Sequence, residues 1–103
     1  GVHTSMSAYI IGNISIKDPQ KWAEYRSQVP MTLVPVQAEL IFHGEQTAVL
    51  SGEYHRSETI VIRFPDTDAV TRWYNSDAYQ QLIPLRLQAA DVDLVSFKNY
   101  PNT

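Results

Sequence analysis

A chain of 103 residues, 44% hydrophobic and 18% charged, has the composition of one globular domain, because a second core would need more length. Its net charge of −3, without any run of Lys or Arg, argues against nucleic-acid and membrane partners, which need a basic patch or a polybasic segment. The chain has no cysteine, so disulfides, thiolate metal sites and cysteine nucleophiles are excluded.

The first residues of the sequence do not have the pattern of a signal peptide. Residues 1–6, GVHTSM, are interpreted as a tag remnant or a disordered N-terminus, with Met6 as the native start. They lack the apolar segment of a signal peptide, so a cytoplasmic location is expected. Residues 7–100 are predicted to form the single domain.

The first strand and helix are predicted in the first third of the chain. Residues 7–16 predict a β-strand. One face of this strand is wholly apolar, and the other face is apolar at one end only. Asp18 and Pro19 have the residue types of an N-cap and a first helical position. Pro30 and Pro35 are expected to kink or segment this helix. Its buried stripe, spaced i, i+3 and i+7, comprises Trp22, Tyr25 and Val29.

The middle of the chain reads as strands. Residues 40–43 and 47–50 are predicted as two short strands on either side of a turn or bulge at residues 44–46. Residues 59–64, TIVIRF, are rich in β-branched side chains and predict a further strand that Pro65 stops.

A second helical region and a last strand complete the chain. Asp66 or Thr67 is predicted to cap a helix, and Ser76 to cap a further helical piece that restarts at Pro84. Residues 93–100 predict the last strand. The residues on one side of the second helix are Val70, Trp73 and Tyr74.

The resulting order, β-α-β-β-α-β, predicts an α+β, ferredoxin-like fold: a four-stranded antiparallel sheet with helices on one face. The other face would leave apolar residues such as Tyr9 and Ile11 exposed unless a second sheet covers them. We therefore expect a two-fold homodimer in which residues 7–100 form a dimeric α+β barrel.

Several segments resemble the domain of unknown function family 1330. The resemblance extends from about Ala8 to Lys98, and its most specific part is the WY-x-S-x-x-Y-Q segment followed by Leu85-Arg86. It implies the dimeric α+β barrel, a superfamily that also contains cofactor-free monooxygenases and isomerases, although fold kinship transfers no activity. The segments that carry the resemblance are Asp18-Pro19, Trp22-Ala23-Glu24-Tyr25, Arg63-Phe64-Pro65 and the stretch from Trp73 to Gln80.

The sequence departs from this family at two places. Gln37-Ala38-Glu39 stands where the family usually has a Gly-Gly pair, which implies a different turn and leaves the register of the second strand open. Asn13 stands where the family often has a histidine or another polar residue, so no role for an imidazole carries over to this position.

Few residues suggest a metal or a cofactor. His43 and His55 are twelve positions apart, with no acidic residue at ligand spacing on a shared helix, so no metal site is expected. No glycine-rich phosphate loop or dinucleotide motif is present, and no cofactor is expected. His43 is a candidate acid or base near neutral pH; the alternative is a partly exposed histidine at a strand end.

Asn13 and Arg63 are candidate polar residues on strands. Asn13 lies among apolar residues and needs a hydrogen-bond partner, which makes it a candidate for ligand binding or catalysis. Arg63 either holds an anionic ligand or forms an ion pair with a carboxylate, across the dimer interface in the alternative we favour.

Trp73, Tyr79 and Arg86 form the second candidate set. Tyr79 and Arg86 are seven positions apart, so a continuous helix would place them on one side, sharing a pocket wall with Trp73. An aromatic wall with one arginine suits a small aromatic or enolic acid, and Tyr79 is then also a catalytic candidate. The alternative is that these aromatic residues are ordinary core and that Arg86 reaches solvent.

These observations support three hypotheses for function. The first is a homodimer that binds a small anionic or aromatic metabolite and, if it is an enzyme, works without a cofactor by proton transfer or isomerisation. The second is a non-catalytic dimeric structural or regulatory module. The third, from fold analogy alone, is a cofactor-free monooxygenase.

Overall fold

The computed structural model of the protein describes residues 7–100, so the interpretation of residues 1–6 as a tag remnant lies outside the described part. The elements follow the predicted order, with the second helical region divided into short helices. In chain order they are β1 (Ala8–Ile16), α1 (Pro19–Leu33), a 3-10 turn (Val34–Val36), β2 (Glu39–Glu45), β3 (Glu58–Phe64), α2 (Thr67–Tyr74), α3 (Asp77–Gln80), α4 (Ile83–Ala89) and β4 (Ala90–Lys98).

The four strands form one antiparallel sheet in the order β2-β3-β1-β4. This arrangement confirms the predicted α+β, ferredoxin-like fold. One face of the sheet, which we call the helix face, carries Ile10, Ile62 and Leu94 and packs beneath the helices. The opposite face, the open face, carries residues of the other parity, including Ile11 and Val95.

The helix boundaries follow the predicted capping residues. The Asp18 carboxylate accepts hydrogen bonds from two backbone amides of the first turn of α1. The Asp66 carboxylate and the Ser76 hydroxyl each accept one such bond, at the starts of α2 and α3. Pro84 lies in the first turn of α4, which confirms the predicted restart. α1 continues through Pro30, and the chain leaves the α-helix only after Leu33.

The prediction of a strand at residues 47–50 is wrong. β2 runs without a break through Gly44, and residues 47–50 lie in the connection to β3. The expected irregularity is a register shift between Leu40 and Phe42 instead. Gly44 marks a close approach rather than a turn, because a Cβ at this position would lie 2.5 Å from the Phe42 ring.

The turn into β2 depends on a residue in the left-handed region. Gln37 has φ 58° and ψ 35°, and its amide donates to the Val34 carbonyl at 3.0 Å. The next amide, of Ala38, donates to the Leu33 carbonyl at 3.1 Å. β2 then pairs with β3 through Glu39 and Arg63, which settles the register that the sequence left open.

No helix among residues 7–100 is long and apolar enough to cross a membrane.

Candidate functional site

Three side chains from three helices, two buried phenols and a half-buried guanidinium, form a hydrogen-bonded chain. The Tyr79 hydroxyl lies 2.8 Å from the Tyr25 hydroxyl and accepts a hydrogen bond of 2.8 Å from Nη1 of Arg86. Tyr79 is 0% exposed and Tyr25 is 7% exposed. We call Tyr25, Tyr79 and Arg86 the phenol–arginine chain.

The Tyr79–Arg86 contact forms although the helix is not continuous between the two residues. α3 ends at Gln80 and α4 begins at Ile83. The Leu82 amide donates to the Tyr79 carbonyl at 2.8 Å, and the Arg86 amide donates to the Leu82 carbonyl at 2.9 Å. These bonds keep the backbone close to a helical path, so the two side chains still share one side.

The phenol–arginine chain is packed between aromatic rings. The Trp73 ring centroid lies 4.1 Å from that of Tyr79, and Trp22 stacks on Tyr25 at 5.2 Å. Nε1 of Trp73 donates to Oγ1 of Thr32 at 2.8 Å. Nε1 of Trp22 is buried without an acceptor among residues 7–100.

Burial and mutual contact shift the pKa values of Tyr25 and Arg86. Burial raises the pKa of the Tyr25 phenol, and the neighbouring Tyr79 raises it further. Burial alone would lower the pKa of Arg86, but the surrounding tyrosines, Tyr79 first, raise it above its ordinary value. The guanidinium is therefore charged at every physiological pH. In the described part of the chain no carboxylate forms an ion pair with it.

Two cavities lie between the helices and the sheet, and Leu94 borders both. The first, which we call the indole cavity, has a volume of about 100 Å³ and is lined mainly by apolar and aromatic side chains, with the exposed Arg26 also on its wall. The second, the arginine cavity, has a volume of about 330 Å³. The indole cavity takes its name from Trp22 and Trp73, and Tyr25, Ile60 and Ile62 also line it. The residues lining the arginine cavity are Ile10, Val70, Tyr74, Arg86, Leu94 and Ser96.

The structure divides the predicted site residues into separate places. It brings Trp73, Tyr79 and Arg86 together, but Trp73 lines the indole cavity and Arg86 lines the arginine cavity. Tyr79 lies against both residues and is fully buried. Trp73 and Arg86 therefore do not share one pocket wall as predicted. They line two different cavities, and the Tyr79 side chain lies between them.

Asn13, Arg63 and His43 lie elsewhere on the sheet. On the open face, Oδ1 of Asn13 accepts hydrogen bonds from Tyr54 at 2.5 Å and from Thr59 at 3.0 Å. Arg63, on the same face, forms an ion pair with a carboxylate of its own chain, on the neighbouring strand β2. On the helix face of β2, Nε2 of His43 lies 2.8 Å from Oε1 of Glu58.

The described histidine and acidic side chains were also compared with the requirements of a metal site. Among residues 7–100, no group of three or more His, Asp and Glu side chains is placed to hold a metal ion. His55 is exposed, and its Nε2 lies 3.9 Å from a carboxylate oxygen of Glu53.

Tyr25 is the functional candidate that the sequence pattern did not reveal. Its spacing with Trp22 and Val29 predicted a member of the buried stripe of α1, and it is buried as expected. The residue type could have identified Tyr25 from the sequence. A buried tyrosine must place its hydroxyl against a polar partner, whereas a buried phenylalanine need not.

Solved structures share this fold at low sequence identity. A protein of unknown function from Rhodopseudomonas palustris aligns with a TM-score of 0.80 and 13% identity, over 93% of this chain and 84% of that chain. SnoaB, a cofactor-independent oxygenase from Streptomyces nogalater, aligns with a TM-score of 0.68 and 8% identity, over 94% of this chain and 96% of that chain. A dimeric ferredoxin-like protein of unknown function from Thermobifida fusca aligns with a TM-score of 0.62 and 11% identity, over 95% of each chain.

At such identities these likenesses show the fold alone. No curated protein matches the sequence. Residues 7–100 match the model of a family described as a domain of unknown function, DUF1330. This match confirms the resemblance found in the sequence, and the chain belongs to the domain of unknown function family 1330.

Proposed function

We propose that the protein binds a small organic anion with an aromatic or enolic body in the arginine cavity. The observation that carries the proposal is the half-buried, charged guanidinium of Arg86, which borders this cavity and pairs with a phenol but with no carboxylate among residues 7–100. A charge withdrawn from water is normally compensated by an opposite charge. An anionic ligand would supply it.

The remaining walls of the arginine cavity favour a body that is mostly apolar. Ile10, Val70 and Leu94 offer aliphatic surface, Tyr74 offers a ring face, and Ser96 offers one hydroxyl. The volume of about 330 Å³ is within the range of small-molecule sites. A carboxylate or enolate on a single ring combines these features, with the negative oxygen at Arg86 and the ring against the apolar walls.

A thermal-shift titration with a panel of aromatic and enolic carboxylates tests the proposal, with the neutral amides of the same acids as ligand controls. We expect the acids to raise the melting temperature of the wild-type protein and to lose this effect in Arg86→Gln. Arg72→Gln is the matched control, because Arg72 is exposed on α2 and should leave the shift unchanged. A shift that survives in Arg86→Gln would contradict the site. Wild-type protein unaffected by the whole panel would favour the non-catalytic module.

The ligands that bind then separate the catalytic hypotheses. SnoaB is described as a cofactor-independent oxygenase, but the shared fold does not carry that activity to this chain. An oxygenase would consume dissolved oxygen with a bound ligand. A proton-transfer enzyme would exchange ligand hydrogens for deuterium without oxygen uptake. A binding module would do neither, so oxygen electrode and NMR measurements on the same ligands distinguish the three.

We also propose that the open face joins two copies of the chain in a homodimer. Val95 and Phe97 lie on this face with 46% and 48% of their surfaces exposed, beside the half-buried Ile11. A solved structure with the same fold is described as dimeric. Light scattering after size exclusion should show a dimer for the wild type and a monomer for Val95→Lys/Phe97→Lys. Leu87→Lys, at an exposed position of α4, should stay dimeric; a dimer in all three would place the interface elsewhere.

A further inference from the structure

The two phenols of the phenol–arginine chain carry one more hydrogen than the bond between them uses. A guanidinium has donors only, so Arg86 must donate to the Tyr79 oxygen. The bond between Tyr79 and Tyr25 uses one of the two phenolic hydrogens. The other phenolic hydrogen has no acceptor among residues 7–100.

Burial and charge indicate which phenol carries the free hydrogen. If Tyr25 donated to Tyr79, the unused hydrogen would stay on Tyr79, which is fully buried and borders neither cavity. An unsatisfied donor is most costly in such a place. The charge of Arg86 also polarises the Tyr79 hydroxyl and makes it the better donor. The bonds therefore run in one direction, from Arg86 to Tyr79 to Tyr25.

This direction leaves the free donor on Tyr25, which is one of the residues that line the indole cavity. The walls around it are almost entirely apolar, among them Trp22, Trp73 and Leu94. The cavity volume of about 100 Å³ is of the order that accepts a single small ring, since an apolar cavity of about 150 Å³ holds benzene. Among residues 7–100, the Tyr25 hydroxyl forms a hydrogen bond with Tyr79 alone.

We propose that the indole cavity is a second ligand site, in which the Tyr25 hydroxyl donates a hydrogen bond to the carbonyl or enolate oxygen of a small cyclic molecule. Arg86 acts on this ligand through Tyr79, because each bond of the chain strengthens the next donor. Such a donor stabilises partial or full negative charge on the ligand oxygen. Tyr25 is thus the residue of the chain that contacts the ligand, and Tyr79 is a positioning residue.

The proposal goes beyond the anion site of the arginine cavity, because it concerns a different cavity and a different donor, the Tyr25 hydroxyl. Cyclopentanone is a suitable probe, and methylenecyclopentane has the same shape without an acceptor. Ligand-observed NMR titrations give Kd for both probes. The ratio of the two Kd values isolates the hydrogen bond from the burial of the ring, and infrared difference spectra report the carbonyl stretch of the bound ketone.

We expect Tyr25→Phe to reduce the preference for the ketone by roughly five-fold, while the alkene binds as before. The carbonyl stretch of the bound ketone should lie at lower frequency in the wild type than in this variant. Tyr79→Phe should reduce the preference by a smaller factor, because Tyr25 keeps its hydrogen but loses the polarisation from Arg86. Tyr9→Phe, on the opposite face of the sheet, is the matched control and should leave the ratio unchanged.

Two outcomes would overturn the proposal: a ketone preference in Tyr25→Phe equal to that of the wild type, or a wild-type protein that binds neither probe. Thermal melts of each variant establish that it is folded at the temperature of the titration. The proposed function fails separately, when aromatic carboxylates do not bind at Arg86. Tyr25→Phe should retain carboxylate binding, so the two failures are distinguishable.

Discussion

Replacing Tyr79 by Phe removes one oxygen atom from the centre of the phenol–arginine chain and leaves the ring in place. The ring should keep its contact with Trp73, at a centroid distance of 4.1 Å, so the aromatic packing changes little. Two hydrogen bonds are lost, one to the hydroxyl of Tyr25 and one to the guanidinium of Arg86. The variant therefore isolates the polar contribution of the chain.

The two lost bonds differ in strength. A hydrogen bond to a charged group contributes about 1.5–3 kcal/mol, and a neutral one about 1 kcal/mol. Arg86 is only half-buried, so water recovers part of the first contribution, whereas the Tyr25 hydroxyl stays buried. We expect the free energy of unfolding of Tyr79→Phe to fall by about 3 kcal/mol. For a domain of this size the melting temperature should fall by roughly 10–20 °C.

Urea denaturation at pH 7, followed by tryptophan fluorescence and circular dichroism, measures this change. All proteins are compared at one concentration, because the stability of a dimer depends on it. Tyr100→Phe is the matched control: Tyr100 is 73% exposed, and its substitution should change the free energy by less than about 0.5 kcal/mol. A Tyr79→Phe protein as stable as this control would refute the assigned hydrogen bonds.

Three further predictions concern other parts of the molecule. Gly12→Ala should lower the free energy of unfolding by about 1–3 kcal/mol, because the new Cβ would lie 2.9 Å from Ile60 and 3.0 Å from Leu94; unchanged urea denaturation would show that these side chains move freely. Burial raises the pKa of Tyr25 above that of an unfolded tyrosine, so the stabilisation is complete below pH about 10 and falls by about 1.4 kcal/mol per pH unit as the pH rises further. Alkaline unfolding of Tyr25→Phe should accordingly have a shallower pH dependence, and equal slopes would contradict the assignment. Gln37→Gly should raise the free energy of unfolding by about 1 kcal/mol, because glycine adopts φ 58° without strain; a lower melting temperature than that of the wild type would count against this.

The sequence predicted the elements whose boundaries depend on local chemistry. Asp18 and Ser76 cap helices as expected, because the hydrogen bonds that define a cap lie within a few residues of the chain. The strand at residues 47–50 failed for the opposite reason. A run of β-prone residues becomes a strand only where an edge is free to pair with it, and residues 47–50 extend past the end of β3.

The sequence indicated several residues of the candidate site, but it did not indicate how their side chains are hydrogen-bonded to one another. The seven-residue spacing of Tyr79 and Arg86 indicated their contact, and the structure contains it. Their link to Tyr25 crosses 54 positions of sequence, and no local pattern indicates which buried hydroxyl another will meet. The separation of Trp73 and Arg86 into two cavities likewise depends on where Leu94 of β4 packs.

Leu94 and Val95 are neighbours in β4, yet Leu94 borders both cavities and Val95 lies on the open face. One thickness of backbone thus separates the ligand sites proposed here from the proposed dimer interface. Because the sheet closes one side of both cavities, we expect a bound molecule to enter and leave past the helices or past the β4 edge. We therefore expect ligand exchange and the exchange of subunits in the proposed dimer to be kinetically independent. The residence time of a ligand should then not change when the protein is diluted below the concentration at which such a dimer dissociates.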